Sequence, residues 1–247
     1  MSRILAFTNQ KGGVGKTTSA ANVGAGLARA GKRVLLVDLD PQANLTTGLG
    51  LAKAEQTVYG ALLGEYQLKV YPLQENLALV AGSPAVSGFE KVKGDELDRE
   101  FLLKELLEPV RGRCDYILLD CPPALGLVTL NAYAAAHALY IPLEAQLYAT
   151  DGLEKVLELV SRVQRRLNPG LVVGGIFFTR HDKRKVLRRE TAEQLRAQHP
   201  GLILDTAIRE SIALGEAPHL GQDIFTYAPQ SAGAADYQAL VNEILTR

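Results

Sequence analysis

The chain has 247 residues, 27 of them basic and 27 acidic, so its formal net charge is zero. That length holds one large domain or two small ones around a sizeable core, and balanced charge leaves any nucleic-acid contact to a local patch. Two cysteines, Cys114 and Cys121, with no C-x-x-C pair, exclude a disulfide framework or a thiolate zinc site, and with no leader-like or long apolar stretch the expected place is the cytoplasm.

Taken in order, Ile4-Leu5-Ala6-Phe7-Thr8 predicts a first strand, and residues 17–30 a helix stopped by Gly31. Further strands are predicted over 33–38, 77–81, 116–120, 138–143, 171–179 and 202–205. These runs are apolar without alternation, as strands buried on both faces should be. Leu153, Val156, Leu157, Val160, Val163 and Leu167 keep helical spacing until Asn168-Pro169-Gly170, and Tyr237, Leu240, Val241, Ile244 and Leu245 share a face of a last helix. Residues 59–74 give no clear pattern. The alternation predicts one doubly wound α/β domain over 1–247, with a mostly parallel sheet and helices on both faces.

Between the first strand and the first helix lies Lys11-Gly12-Gly13-Val14-Gly15-Lys16-Thr17-Thr18. Strand, glycine-rich loop, helix is the order of a phosphate-binding loop. Glycines let successive N–H groups close on a polyphosphate, and the helix N-terminus adds free amides. Lys16 is placed for the terminal phosphates and Thr17 for a hydroxyl on Mg²⁺. The usual leading glycine is replaced by Gln10, and a second lysine, Lys11, stands at the front of the loop. Two carboxylate motifs end predicted strands: Asp38-Leu39-Asp40-Pro41-Gln42, and Ile117-Leu118-Leu119-Asp120 followed by Cys121-Pro122-Pro123. In open α/β sheets, ligands bind at the carboxyl ends of the strands. Asp120 matches a Walker B carboxylate near Mg²⁺, although such a residue can also cap a turn. Asp38 either approaches the metal or bonds the loop backbone.

The lysine-bearing loop resembles the deviant Walker A family of ParA, MinD and the nitrogenase iron protein. Asn9-Gln10-Lys11 through Thr18, Asp38-Leu39-Asp40-Pro41-Gln42-Ala43-Asn44, Asp120-Cys121-Pro122-Pro123 and the tail motifs at 216–222 and 227–234 resemble the ParA/Soj partition ATPases. The resemblance covers nearly the whole chain. It implies a phosphate-loop ATPase using ATP, ADP and Mg²⁺, with Lys11 and Lys16 as catalytic lysines and Lys11 crossing to the partner's phosphates in an ATP-dependent homodimer. Asp40 would orient or deprotonate the attacking water, and Asp38, Asp120 and Thr17 would lie at the metal. It further implies non-specific binding of double-stranded DNA, stimulation by a ParB/Spo0J-type centromere-binding protein, a place on the nucleoid, and no membrane partner. It places Ile208 and Arg209 at the adenine, where relatives commonly read Ile-Pro-Arg-Asn and this chain reads Ile208-Arg209-Glu210-Ser211.

Independent of the resemblance, Lys183, Arg184, Lys185, Arg188, Arg189 and Arg196 crowd one stretch. On a helix, Lys185, Arg189 and Arg196 would form a narrow stripe, with Glu190 and Glu193 away from it and Leu187, Thr191 and Leu195 facing inward. Such a stripe suits DNA phosphates, or is an ordinary solvated helix face. A membrane-anchored MinD-like protein, an iron–sulfur protein and a phosphotransferase are rival readings. The last helix lacks a basic amphipathic anchor, the cysteines sit at opposite ends of a strand, and the tail lacks a tyrosine cluster.

Overall fold

The strands stack in the order β3-β4-β2-β5-β1-β6-β7, and every pairing is parallel except β3 with β4. The computed structural model describes residues 2–146, 149–182 and 186–247. The chain runs β1 (Arg3–Phe7), α1 (Lys16–Arg29), β2 (Val34–Asp38), α2 (Asn44–Gly48), α3 (Val58–Leu63), then a hairpin of β3 (Tyr71–Gln74) and β4 (Leu77–Val80). Next come α4 (Phe89–Lys93), α5 (Leu102–Leu107), β5 (Tyr116–Asp120), α6 (Leu127–Ala135), β6 (Ala138–Leu143), α7 (Ala149–Arg166) and β7 (Val172–Phe178). The C-terminal part is α8 (Val186–Gln198), α9 (Ile212–Glu216), α10 (Ile224–Tyr227) and α11 (Ala232–Leu245).

Alternate side chains of each central strand enter different cores, which is why both faces read as apolar. Ile4, Ala6, Leu35, Val37, Ile117 and Leu119 join Leu103, Tyr133, Val156, Val160 and Leu195 from the helices on one side. Leu5, Phe7, Leu36, Leu118 and Tyr140 join Val23, Leu27, Phe225, Tyr237, Leu240 and Val241 on the other. The apolar face of α11 is thereby buried against α1, and Tyr237 shares a buried hydrogen bond with Ser19 of that helix at 3.0 Å. Among the described residues no helix is long and apolar enough to cross a membrane. Cys114 and Cys121 flank β5 as free thiols.

One segment departs from the sequence expectation, and one had no clear expectation to meet. Residues 202–205 form no strand; they touch β7 through a single bridge, Ile176 to Ile203, followed by a second from His181 to Arg209. Residues 59–74 divide into α3 and the edge strand β3, whose residues are alternately half-buried and exposed. The hairpin turns at Asn76, at a φ of 61° that asparagine tolerates better than most residues.

Candidate functional site

Parallel strands in register bring their carboxyl ends to one edge of the sheet. Phe7 of β1 lies opposite Asp120 of β5, which lies opposite Asp38 of β2. The loop after β1 is held from below. The Thr8 hydroxyl meets Tyr133 OH at 2.9 Å, Asn9 Nδ2 donates to the Pro142 carbonyl at 2.8 Å, and Asn9 Oδ1 accepts from Lys11 N–H at 2.9 Å. Gly13 and Gly15 take φ of 75° and 90°, conformations that cost side-chain-bearing residues about 1 kcal/mol or more. Helix α1 begins on Gly15 without a side-chain cap, and the N–H groups of Gly15, Lys16, Thr17 and Thr18 have no acceptor among the described residues. Lys16 folds back over the loop and donates to the Lys11 carbonyl at 3.1 Å. Burial lowers its pKa, and the charges of Asp120 and Asp40 oppose that.

The three aspartates differ in environment. Asp38 is fully buried: Oδ2 accepts from Thr46 N–H at 2.8 Å and Thr46 Oγ1 at 2.7 Å, and Oδ1 from Asp40 N–H at 3.2 Å. The same Thr46 hydroxyl accepts from Gly82 N–H at 2.7 Å, and a Cβ on Gly82 would lie 2.6 Å from the Asp38 carboxyl carbon. Of the two alternatives read for Asp38, these contacts match the bonding of loop backbone, and through Thr46 the carboxylate ties the end of β2 to the segment after β4. Burial raises its pKa to about 6 against these hydrogen bonds, helped by the charge of Asp40. Asp40 lines the cleft and accepts from Gln42 N–H at 2.9 Å.

Asp120 is wholly buried with no hydrogen bond to either carboxylate oxygen. Burial and the neighbouring Asp38 push its pKa well up, while the Thr17 hydroxyl and Lys16 ammonium pull the other way without normal hydrogen-bond geometry. A buried carboxylate without a partner is expensive, and a divalent cation is the natural remedy. Thr17 and Asp120 therefore fit a Mg²⁺ ion. Cys121, beside it, is buried and its thiol is pushed far up, so it is inert packing.

These elements open on a cleft of about 800 Å³ lined by Gly12 to Thr18, Asp40, Ile208 and Arg209, together with Thr179, Pro218, Gln222 and Tyr237, which the sequence reading did not place at the site. Thr179 directly follows β7 at the carboxyl edge, where strand-end position was the available signal. Lys11 is exposed and its Nζ donates to Gln146 of the same chain at 2.7 Å. Arg209 lines the cleft through one side only. Its guanidinium and N–H grip Asp236 of α11 at 2.7–3.1 Å, so its charge is engaged within the chain.

Of the expected DNA residues, Lys183, Arg184 and Lys185 lie outside the described residues, and Arg188 belongs to α8. The uniform basic stripe needs correction at two points. Arg189 lies 3.9 Å from Glu193 one turn on, an acid expected to fall away from it. Arg196 lays its guanidinium over the Phe178 ring at 5.5 Å and donates to the Leu204 carbonyl at 3.4 Å. Leu195 and Ala192 pack inward as α8 requires.

A family model described as an AAA domain matches residues 2–173. The chromosome-partitioning ATPase Soj of Treponema pallidum is 46% identical over 251 residues, spanning 100% of this chain and 98% of that protein. The chromosome partitioning protein ParA of Caulobacter vibrioides is 38% identical over 252 residues, spanning 99% of this chain and 94% of the relative. Among solved structures, cobyrinic acid a,c-diamide synthase of Mycobacterium smegmatis with bound ATP analog and magnesium superposes with a TM-score of 0.89 at 33% identity, covering 99% of this chain and 94% of that one. With the phosphate loop, the buried carboxylate and full-length similarity in agreement, the chain belongs to the Soj/ParA family of chromosome-partitioning ATPases.

Proposed function

We propose that this chain, acting as one domain over 1–247, is an ATP-driven partition switch that works in the cytoplasm on the nucleoid. It binds ATP in the cleft, closes as a homodimer that holds double-stranded DNA without sequence preference, and returns to a weak-binding form when a ParB/Spo0J-type partner completes hydrolysis to ADP and phosphate. The observation that carries the reading is the pairing of uncommitted N–H groups at the start of α1 with the partnerless carboxylate of Asp120.

The N–H groups of Gly15 to Thr18 meet the phosphates, and Lys16 adds a point charge. Mg²⁺ bound with the nucleotide supplies charge neutralisation on phosphate oxygens, and Thr17 and Asp120 are the groups that would hold it. Asp40, in the cleft wall, orients or deprotonates the attacking water. Ile208 and Arg209 border the base end. Lys11 leaves Gln146 to reach the second chain's phosphates. Among the described residues the only arginines lining the cleft are the engaged Arg209 and Arg180, which fits slow unassisted turnover. The DNA surface uses the basic segment ending in α8, with Lys183, Arg184, Lys185, Arg188 and Arg189 as the phosphate contacts and Arg196 at its inner edge.

Binding to non-specific duplex DNA with ATP, with ADP and without nucleotide tests this, using Asp40→Ala to hold ATP uncleaved. Tight binding with ATP alone is expected. Equal binding in all three states would overturn the switch.

A further inference from the structure

One buried hydrogen bond reaches the phosphate loop from the end of the edge strand β7. Thr179, 4% exposed, follows β7 and donates its hydroxyl to the Val14 carbonyl at 2.9 Å. Its own N–H is fixed to the Leu143 carbonyl at 2.9 Å, at the end of β6. Its methyl group lies 3.7 Å from where a Gly15 side chain would begin. Thr179 is thus anchored by the sheet, and it anchors a peptide group of the loop.

We propose that Thr179 is a positioning residue for nucleotide binding, acting through the orientation of the Val14–Gly15 peptide. A phosphate loop works only if its N–H groups face the ligand and its carbonyls face away. The trans peptide is planar, so its C=O and the following N–H point in opposite directions. Holding the Val14 carbonyl toward Thr179 aims the Gly15 N–H the other way, and that N–H has no protein acceptor among the described residues. At the Gly15 φ of 90° this segment is easier to reorient than one built from bulkier residues. Without the hydroxyl, the carbonyl would either stay buried and unsatisfied or turn toward solvent in the cleft. In the second case it would present a negative dipole to the phosphates in place of a donor.

This inference rests on the nucleotide reading above and names a residue that sets its affinity. The test is calorimetric titration of the full chain with MgATP and MgADP, for the unaltered protein and for Thr179→Val, Thr179→Ser and Thr179→Ala. Thr179→Val keeps the methyl contact and the volume but removes the donor, and should weaken both nucleotides about 5- to 100-fold. Thr179→Ser keeps the donor and should stay close to the unaltered protein. Thr179→Ala adds no apolar group to the loop and should repeat the loss, which covers the case of a Thr179→Val protein that does not fold. A role confined to stability would lower the melting temperature without separating Ser from Val in affinity. Undiminished affinity in Thr179→Val or Thr179→Ala would overturn the inference alone, as would a loss in Thr179→Ser equal to theirs. Failure of the unaltered chain to bind either nucleotide would overturn the nucleotide reading and this inference with it.

Discussion

Burial raises the pKa of two aspartates of the site, Asp38 and Asp120, and the consequences are measurable. Burial raises Asp38 to about 6, above the ordinary carboxylate value of about 3.9. A raised carboxylate pKa stabilises the fold while the group is protonated in both states, and this contribution is lost as pH rises through the folded value. The nucleotide-free protein should therefore lose stability relative to Asp38→Asn between about pH 4 and pH 6, by an amount on the order of 2 kcal/mol. Thermal melts of both proteins across that range check it; a constant difference would count against it. Asp120→Asn should leave the nucleotide-free melting temperature unchanged or raised, because it removes a buried ionisable group with no partner. It should also abolish the stabilisation that MgATP gives the unaltered protein, read by melting with and without MgATP. A clear drop in the nucleotide-free melting temperature would mean that Asp120 has a structural partner. At this scale Lys16, Thr17 and Asp120 were legible because their spacing after a strand is a property of the chain itself. For Asp38 the sequence left two readings open and named no partners, since Thr46 and Gly82 come together beside it only once β4 pairs with β2.

Helix α1 shows why an element is more than its propensity. Gly24 and Gly26 weaken an isolated helix by about 1 kcal/mol each relative to alanine. In the fold, a Cβ on Gly26 would sit 2.7 Å from Val241 Cγ2 and 3.2 Å from the Phe225 ring, on the buried seam with α10 and α11. Overpacking such a seam costs about 1–3 kcal/mol, which outweighs the helix gain. Gly26→Ala should thus destabilise the protein by about 1 kcal/mol in denaturant melts, whereas a surface glycine-to-alanine change in a helix stabilises. The central strands and α7 were legible as elements, because burial on both faces and a sustained 3.6 period leave strong marks. The β3 strand was not: four residues with Pro72 in the second place and half-exposed sides carry almost no pattern. Residues 202–205 have strand-like composition, yet only Ile203 bridges β7, since the chain then leaves for the cleft wall at Ile208. The basic stripe of α8 was legible as charge but not as pairing. Phe178, which holds Arg196, comes from another element.

For the whole molecule, zero net charge means that affinity for DNA cannot come from overall attraction. It has to come from a local surface, and dimer closure would double that surface. Each neutralised phosphate contributes about −0.9 to the slope of log affinity against log salt. The ATP-trapped form should show a steep slope of several such steps and the ADP form a shallow one, measured by equilibrium binding across a salt series. A slope independent of nucleotide would remove doubling as the source. The sheet adds a constraint of its own. One rim ends in an antiparallel hairpin strand interrupted by Pro72 and an irregular register, and the other is covered from Ile176 of β7 onward by the bridges Ile176 to Ile203 and His181 to Arg209. Among the described residues, neither rim offers a long row of free backbone groups on which another copy could continue the sheet. Any growth into arrays along a DNA track would therefore be side-chain to side-chain and reversible with ligand and salt. Such a particle can be taken apart and reused every cycle instead of hardening into a cross-β fibre.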